Sequence, residues 1–384
     1  MPGFYEFFAG AGMARAGLGE TWASLFANEL DPKKTDIYRK NWPTPDVLKI
    51  GDIGKLTSSD IPGKADLAWA SFPCQDLSLA GAGAGLNGDR SGTFWPFWRL
   101  MQRLIEEGRA PQIIVLENVC GTLTSHGGAD FSTICSTYVK AGYRFGALIV
   151  DAVHFLPQSR PRLFIIGLRN NVALSAGLAS DGPTRSSLWR PRGLLKAFEK
   201  LPPNVRDKWI WWNLPTPTPR NVAFSDLIED NPIGVEWHSA SETAKLLRMM
   251  SGINREKLDK AQGTGRRMVG AVYKRTRVDE AGRKAQRAEI RFDDIAGCLR
   301  TPAGGSSRQT IVVVDGKNVR SRLISPRETA RLMGLPEDYG LPSNSNEAYH
   351  LTGDGVAVPV VRHLAEHIFE PLLASRGALA QAAA

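Results

Sequence analysis

Apolar positions along the chain come in short unbroken runs, each stopping at a polar or glycine-rich turn. Phe4-Tyr5-Glu6-Phe7-Phe8, the stretches 22–27 and 66–70, Gln112-Ile113-Ile114-Val115-Leu116, and the stretches 145–151 and 163–167 have this form. Runs of this length without alternation read as strands buried on both faces. Between them lie helical patterns at 13–19 and 99–105. Near the end, Ser325 with Pro326 and Glu328 marks a helix start that Gly334 stops, and a last amphipathic helix follows over 360–373. The alternation predicts an α/β fold with a mostly parallel sheet, whose ligands gather beyond the carboxyl ends of the strands.

The chemistry-bearing residues stand at those ends. After the opening run, Ala9-Gly10-Ala11-Gly12 turns into a helix, so that a ligand can approach the backbone closely and meet unpaired N–H groups. The second run ends in Asn28-Glu29, which places an acid where a ribose diol could be held. Asp52 in Gly51-Asp52-Ile53 suits a helix cap or an adenine amino group. The third run breaks at Ser71-Phe72-Pro73-Cys74-Gln75, where proline ends the ladder and presents a thiol. The glycine- and alanine-rich segment 80–92 that follows reads as a mobile lid unable to build core. Glu117 ends the fourth run, and Gln158-Ser159-Arg160-Pro161-Arg162 precedes the last.

At 384 residues the chain is long enough for two domains. No stretch is apolar for long enough to span a membrane and no leader pattern opens the chain, which predicts a cytoplasmic protein. Cys74, Cys120, Cys135 and Cys298 form no Cys-x-x-Cys pair, so neither a disulfide framework nor a metal site is expected. The formal charge is +9, and residues 181–310 hold 24 Lys and Arg against 15 Asp and Glu, a surplus equal to that of the whole chain. Charge so segregated points to a module that meets phosphate. Within it prolines crowd in, periodicity fades, and basic residues such as Arg266 and Arg267 interleave with glycine. The expected division is a catalytic domain at 1–180, an irregular recognition domain at 181–310, and a return to the catalytic domain at 311–384.

Taken in order, these motifs resemble those of the C5-cytosine DNA methyltransferases of bacterial and phage type. The resemblance covers the first 170 residues and roughly the last 75, and leaves the basic middle unmatched. It implies a Rossmann-like, S-adenosylmethionine-dependent methyltransferase domain. By the same comparison Cys74 is the nucleophile that attacks C6 of cytosine, Glu117 protonates or hydrogen-bonds N3, and Arg160 and Arg162 hold the base carbonyl and a phosphate, Arg160 being the nearer match. Phe8, Gly10, Gly12, Glu29, Asp52, Ile53, Pro73, Asp354 and Val356 would contact the cofactor. Asp354 stands where the family usually has asparagine. Gln75, Ser78, Arg90, Arg266, Arg267, Arg300 and Thr301 would contact double-stranded DNA. The target carbon is hidden in a stacked duplex, so the base must be flipped out.

The rival with the same chemistry is a tRNA cytosine methyltransferase, against which the large basic insertion argues. A nicotinamide-dependent oxidoreductase would leave Cys74, Glu117 and Arg160 without a role, and a catalytically inactive DNA-binding homologue would not need Cys74 and Glu117 intact. An adenine N6 or cytosine N4 methyltransferase would want Asn/Asp-Pro-Pro-aromatic in place of Phe72-Pro73-Cys74. A monomer is expected, with a cognate restriction endonuclease as a candidate partner.

Overall fold

The computed structural model of the protein describes residues 1–44, 46–73, 85–88, 91–183, 188–278, 282–302 and 308–374. The chain divides into two units, one formed by Met1–Asp151, Pro161–Pro217 and Val358–Ala384, the other by Ala152–Arg160 and Thr218–Ala357.

The first unit is built on a seven-stranded sheet of order β3-β2-β1-β4-β5-β7-β6. Its strands are β1 (Gly3–Phe7), β2 (Ala23–Glu29), β3 (Leu48–Ile50), β4 (Leu67–Ala70), β5 (Ile113–Val119), β6 (Tyr143–Asp151) and β7 (Pro161–Arg169). All neighbours run parallel except β7, which is antiparallel to both β5 and β6. Every residue of β1 and β4 is buried, the acidic Glu6 of β1 included. The connections carry α1 (Met13–Leu18), α2 (Pro32–Asn41), α3 (Phe94–Glu106) and α4 (Ala129–Lys140). The aromatic run at 94–98 opens α3 and packs into the main core, where Phe94, Phe97 and Trp98 meet Phe7, Phe72 and Tyr138. Strand order reverses between β1 and β4, which makes their carboxyl ends the crevice of an open α/β sheet.

The prolines and tryptophans after residue 181 do not begin a new domain. Two short strands, β8 (Ala179–Ser180) and β9 (Trp211–Trp212), pair with each other, and Phe145 on β6 bridges to Trp209. With α5 (Arg192–Glu199) and α6 (Pro203–Arg206), this segment covers the β6 edge: Ile149 donates to the Trp189 carbonyl, and Trp209 packs on Phe131, Phe145 and Phe198. An edge strand left bare would invite pairing with another chain.

The second unit holds a four-stranded antiparallel sheet of order β11-β10-β12-β13. Its strands are β10 (Arg267–Val278), β11 (Lys284–Arg291), β12 (Thr310–Asp315) and β13 (Asn318–Leu323), backed by α7 (Ala240–Arg248) and α8 (Gly252–Gly263). Leu246 and Leu258 from the helices, with Met250 between them, close on Val272, Ile290, Val312 and Val314. This unit is therefore more regular than the sequence suggests. Strand β12, expected to mark the return to the catalytic domain, belongs to this sheet, as its pairing with β10 shows. The unit continues through α9 (Pro326–Leu332) and α10 (Ser345–Asp354). The chain rejoins the first unit only at α11 (Val358–Leu364), which lies against α1 so closely that a Cβ on Gly17 would come within 2.4 Å of Val361. Among the described residues no helix is long and apolar enough to cross a membrane.

Candidate active site

Strand β1 delivers the chain into a turn in which Phe8, Gly10 and Gly12 all have left-handed backbone, with φ of 57°, 57° and 84°. Phe8 pays the steric cost of a side chain there, and strain of this kind gathers at ligand sites. A Cβ on Gly10 would meet nothing within 4 Å, so the space over the turn is open. Glu29, at the end of β2, accepts from the Gly10 amide at 2.8 Å through one oxygen and from the Asp31 amide at 2.9 Å through the other. Each carboxylate oxygen carries two lone pairs, so both keep one for a further donor. Asp52 caps the turn at residues 53–55 by accepting from the Gly54 amide at 2.8 Å. Ile53 is buried, so its side chain belongs to the core and its backbone is what a ligand could meet.

On the other side of the crevice, β4 ends at Ala70 and the chain turns through Phe72 and Pro73. Two side chains hold that turn. Asn118 donates to the Phe72 carbonyl at 3.1 Å while its own oxygen accepts from Val119 and Thr122, and Ser91 donates to the Pro73 carbonyl at 3.0 Å. Both are buried. The next residue is Cys74, which with Gln75, Ser78 and Arg90 lies outside the described residues. Part of the expected lid does too. Of its described portion, Leu86 is buried in the main core, so the segment does contribute to packing.

Glu117 precedes Asn118 on β5 and is 6 % exposed. Arg162 on β7, whose register pairs it with Val119, places its Nε 3.3 Å from the Glu117 carboxylate. Cys120 follows one turn on, and burial pushes its thiol up despite the nearby Arg162. A thiol held neutral in this way is a poor nucleophile.

Arg160 falls in the second unit. It is 2 % exposed, and its guanidinium donates to the carbonyls of Leu299 at 3.2 Å, Gly353 at 2.7 Å and Gly355 at 2.6 Å, with the Cys298 sulfur at 3.5 Å. Arg162 stands beside the acid, and the Nη atoms of Arg160 tie chain segments of its own unit together. Neighbouring Gln158 does the same, donating to the Leu332 carbonyl at 2.6 Å and accepting from the Leu299 amide at 3.2 Å.

The family model for C-5 cytosine-specific DNA methylases matches residues 3–370. The chain belongs to that family. Similar relatives include the type II methyltransferase M1.ScrFI of Lactococcus lactis subsp. cremoris, 27% identical over 97% of this chain and 79% of its own. M.HhaI of Haemophilus parahaemolyticus is 25% identical over 95% of this chain and 93% of its own. Among solved structures, the Dnmt2 methyltransferase of S. pombe shares the fold with a TM-score of 0.58 at 18% identity, covering 97% of this chain and 99% of that one.

Of the residues of this DNA methylase assigned to DNA, Arg266 and Arg300 are exposed and Thr301 is half-buried. Arg267 is committed within the protein, donating to the carbonyls of Ser225 at 3.1 Å and Ile228 at 3.0 Å and lying 3.3 Å from Asp230. In the second unit Asp354 ends α10 exposed, and Val356 beyond it is buried. Sequence reasoning passed over Asn118 and Ser91. Asn118 carried a signal, its place next to the acid; Ser91 carried none, because its partner carbonyl is distant in sequence.

Proposed function

We propose that this C-5 cytosine methylase transfers a methyl group from S-adenosylmethionine to C5 of a cytosine flipped out of duplex DNA, through a covalent bond between Cys74 and C6. One observation carries the reading: adjacent residues of β5 serve the two halves of the site, Glu117 as the acid and Asn118 as the holder of the turn that ends in Cys74. The C5 carbon is too weak a nucleophile until C6 has been attacked, and a thiolate both attacks and later leaves. Cys74 adds to C6 while Glu117 protonates or hydrogen-bonds N3, and Arg162 holds the Glu117 carboxyl in place and faces the base. Cys74 is expelled when C5 loses its proton.

The cofactor supplies an electrophilic methyl group. The turn at residues 8–12 fits it, being open over Gly10 and bordered by Glu29. Glu29 would take the ribose hydroxyls on its remaining lone pairs, Asp52 and the Ile53 backbone the adenine edge, Phe8 the adenine face, and Gly10, Gly12 and Pro73 the methionine end. Asp354 and Val356 are assigned to the cofactor on the resemblance alone; unchanged cofactor affinity in Asp354→Asn would remove Asp354 from the set. Double-stranded DNA is the substrate this reading names, with a cognate endonuclease and a monomeric state as its corollaries.

The test is to supply methyl-labelled cofactor and mixed-sequence duplex DNA and to identify the product base. The reading requires 5-methylcytosine, formed by the wild type and lost in Cys74→Ser. Label in adenine, or in tRNA but not duplex DNA, would replace it.

A further inference from the structure

In the four-stranded sheet of the second unit, β12 pairs with β10 only from Arg267 to Val272, whereas β11 pairs with β10 from Ala271 to Val278. Residues 273–278 therefore run on with residues 284–289 as a two-stranded ribbon, roughly 17 Å of it at about 3.4 Å per residue. The core ends where the ribbon begins, with Val272, Ala288 and Ile290 its last buried members. Beyond them the side chains from Arg275 to Val278 and from Arg283 to Lys284 are exposed, as are Gln286 and Arg287, and Val278 is 63 % exposed.

The ribbon's composition makes little sense as a free-standing structure. Arg275 lies directly opposite Arg287, and like charges facing across strands destabilise a ribbon. Beyond Val272 both strands of the ribbon are edges, where Lys and Arg also deter pairing with other chains. Strand β10 contributes Lys274, Arg275 and Arg277 there. Glu289 holds two of these guanidiniums, Arg275 at 3.4 Å and Arg277 at 2.5 Å, while Arg287 has no ion pair among the described residues. Period-2 alternation puts Arg275, Arg277 and Arg287 on one face, and Thr276 opposite Gln286 on the other.

We propose that this ribbon is the groove-reading element of the second unit, entering the major groove of duplex DNA with the face that carries Arg275, Arg277 and Arg287 turned to base edges. A two-stranded ribbon fits that groove, and Arg pairs with guanine there. The inference rests on the DNA methylation reading above. It moves base recognition to the ribbon and away from Arg267, whose donors are spent inside the protein.

The experiment uses the full-length protein, S-adenosylmethionine and a pool of duplexes of randomised sequence. Methylated positions and bound sequences are both read by sequencing for the wild type, Arg287→Gln, Arg277→Gln and, as an opposite-face control, Thr276→Ala/Gln286→Ala. The arginine variants should relax or change base preference at particular positions of the site by ~10–100-fold. Thr276→Ala/Gln286→Ala should keep the preference. Unchanged preference in both arginine variants, with melting as in the wild type, would overturn the proposal while leaving the methylation reading intact. A wild type that methylates nothing yet selects a sequence, with selection lost in Arg287→Gln, would sink the methylation reading and support the ribbon. A wild type that neither methylates nor selects overturns both.

Discussion

Two single residues beneath the site have consequences that can be measured. Glu6 lies in the middle of β1, 1 % exposed, with the Arg15 amide and the Tyr38 hydroxyl each at 3.4 Å from its carboxylate. Burial pushes its carboxyl up from 4.5 to about 8, with only partial compensation from Arg15. The folded state therefore holds a proton that the unfolded chain releases above about pH 4.5. The stability this contributes is complete below that pH, is lost as pH rises through about 8, and is level above. Glu6→Gln should flatten the decline in melting temperature between pH 5 and 8, as thermal denaturation across that range will show. Asn118 acts through position. Asn118→Ala leaves the buried Phe72 carbonyl unpaired and frees the turn before Cys74, and misplacement of about 1 Å can cost about 100-fold in rate. We expect covalent trapping of the base to slow by about that factor with cofactor affinity unchanged; equal losses in both would mean a general structural fault. The sequence singles out Cys74 and Glu117 as candidates because the proposed chemistry dictates residue type. It did not show that Arg160 holds carbonyls of its own chain, because a guanidinium so engaged looks like any other in sequence.

At the scale of elements, the start of α9 was fully legible: the Ser325 hydroxyl accepts from the Glu328 amide, and the Glu328 carboxylate accepts from the Ser325 amide in return. What the pattern did not reveal is the second use of Glu328. Its carboxylate also receives Arg322 from β13 at 2.6 and 2.8 Å and the Glu229 amide at 2.8 Å, and both charged side chains are wholly buried. Removing one member of such a pair strands the other charge in the interior. Glu328→Ala should therefore lower the stability of the second unit by about 3–5 kcal/mol, while Arg322→Met/Glu328→Leu together should recover much of the loss. Chemical denaturation of the three proteins separates the outcomes, and a single variant within 1 kcal/mol of the wild type would contradict the argument. Arg160 belongs to the same class of device, one guanidinium holding the Leu299 carbonyl and two carbonyls at the end of α10.

Across the whole molecule, the charge surplus at 181–310 marks a difference in composition, while the compact units divide after Pro217 and before Val358. The stretch to Pro217 reads as a new module because prolines and exposed-looking tryptophans break periodicity, but Trp209 and Trp212 pack on the sheet edge they cover. Thr310-Ile311-Val312-Val313-Val314 reads as a strand in either domain; an apolar run specifies burial and says nothing of which sheet receives it. Six strands of the first sheet, by contrast, were legible as runs that needed two covered faces, while the half-exposed β3 and the antiparallel direction of β7 were not. The central claim, that Cys74 is the nucleophile toward duplex cytosine, is tested most directly with duplex DNA carrying 5-fluorocytosine, incubated with S-adenosylmethionine. Fluorine cannot leave C5 as a proton does, so the wild type should accumulate a denaturation-resistant protein–DNA adduct that Cys74→Ser does not form. An adduct that survives in Cys74→Ser, or none from a wild type that methylates ordinary cytosine in the same duplex, would contradict it.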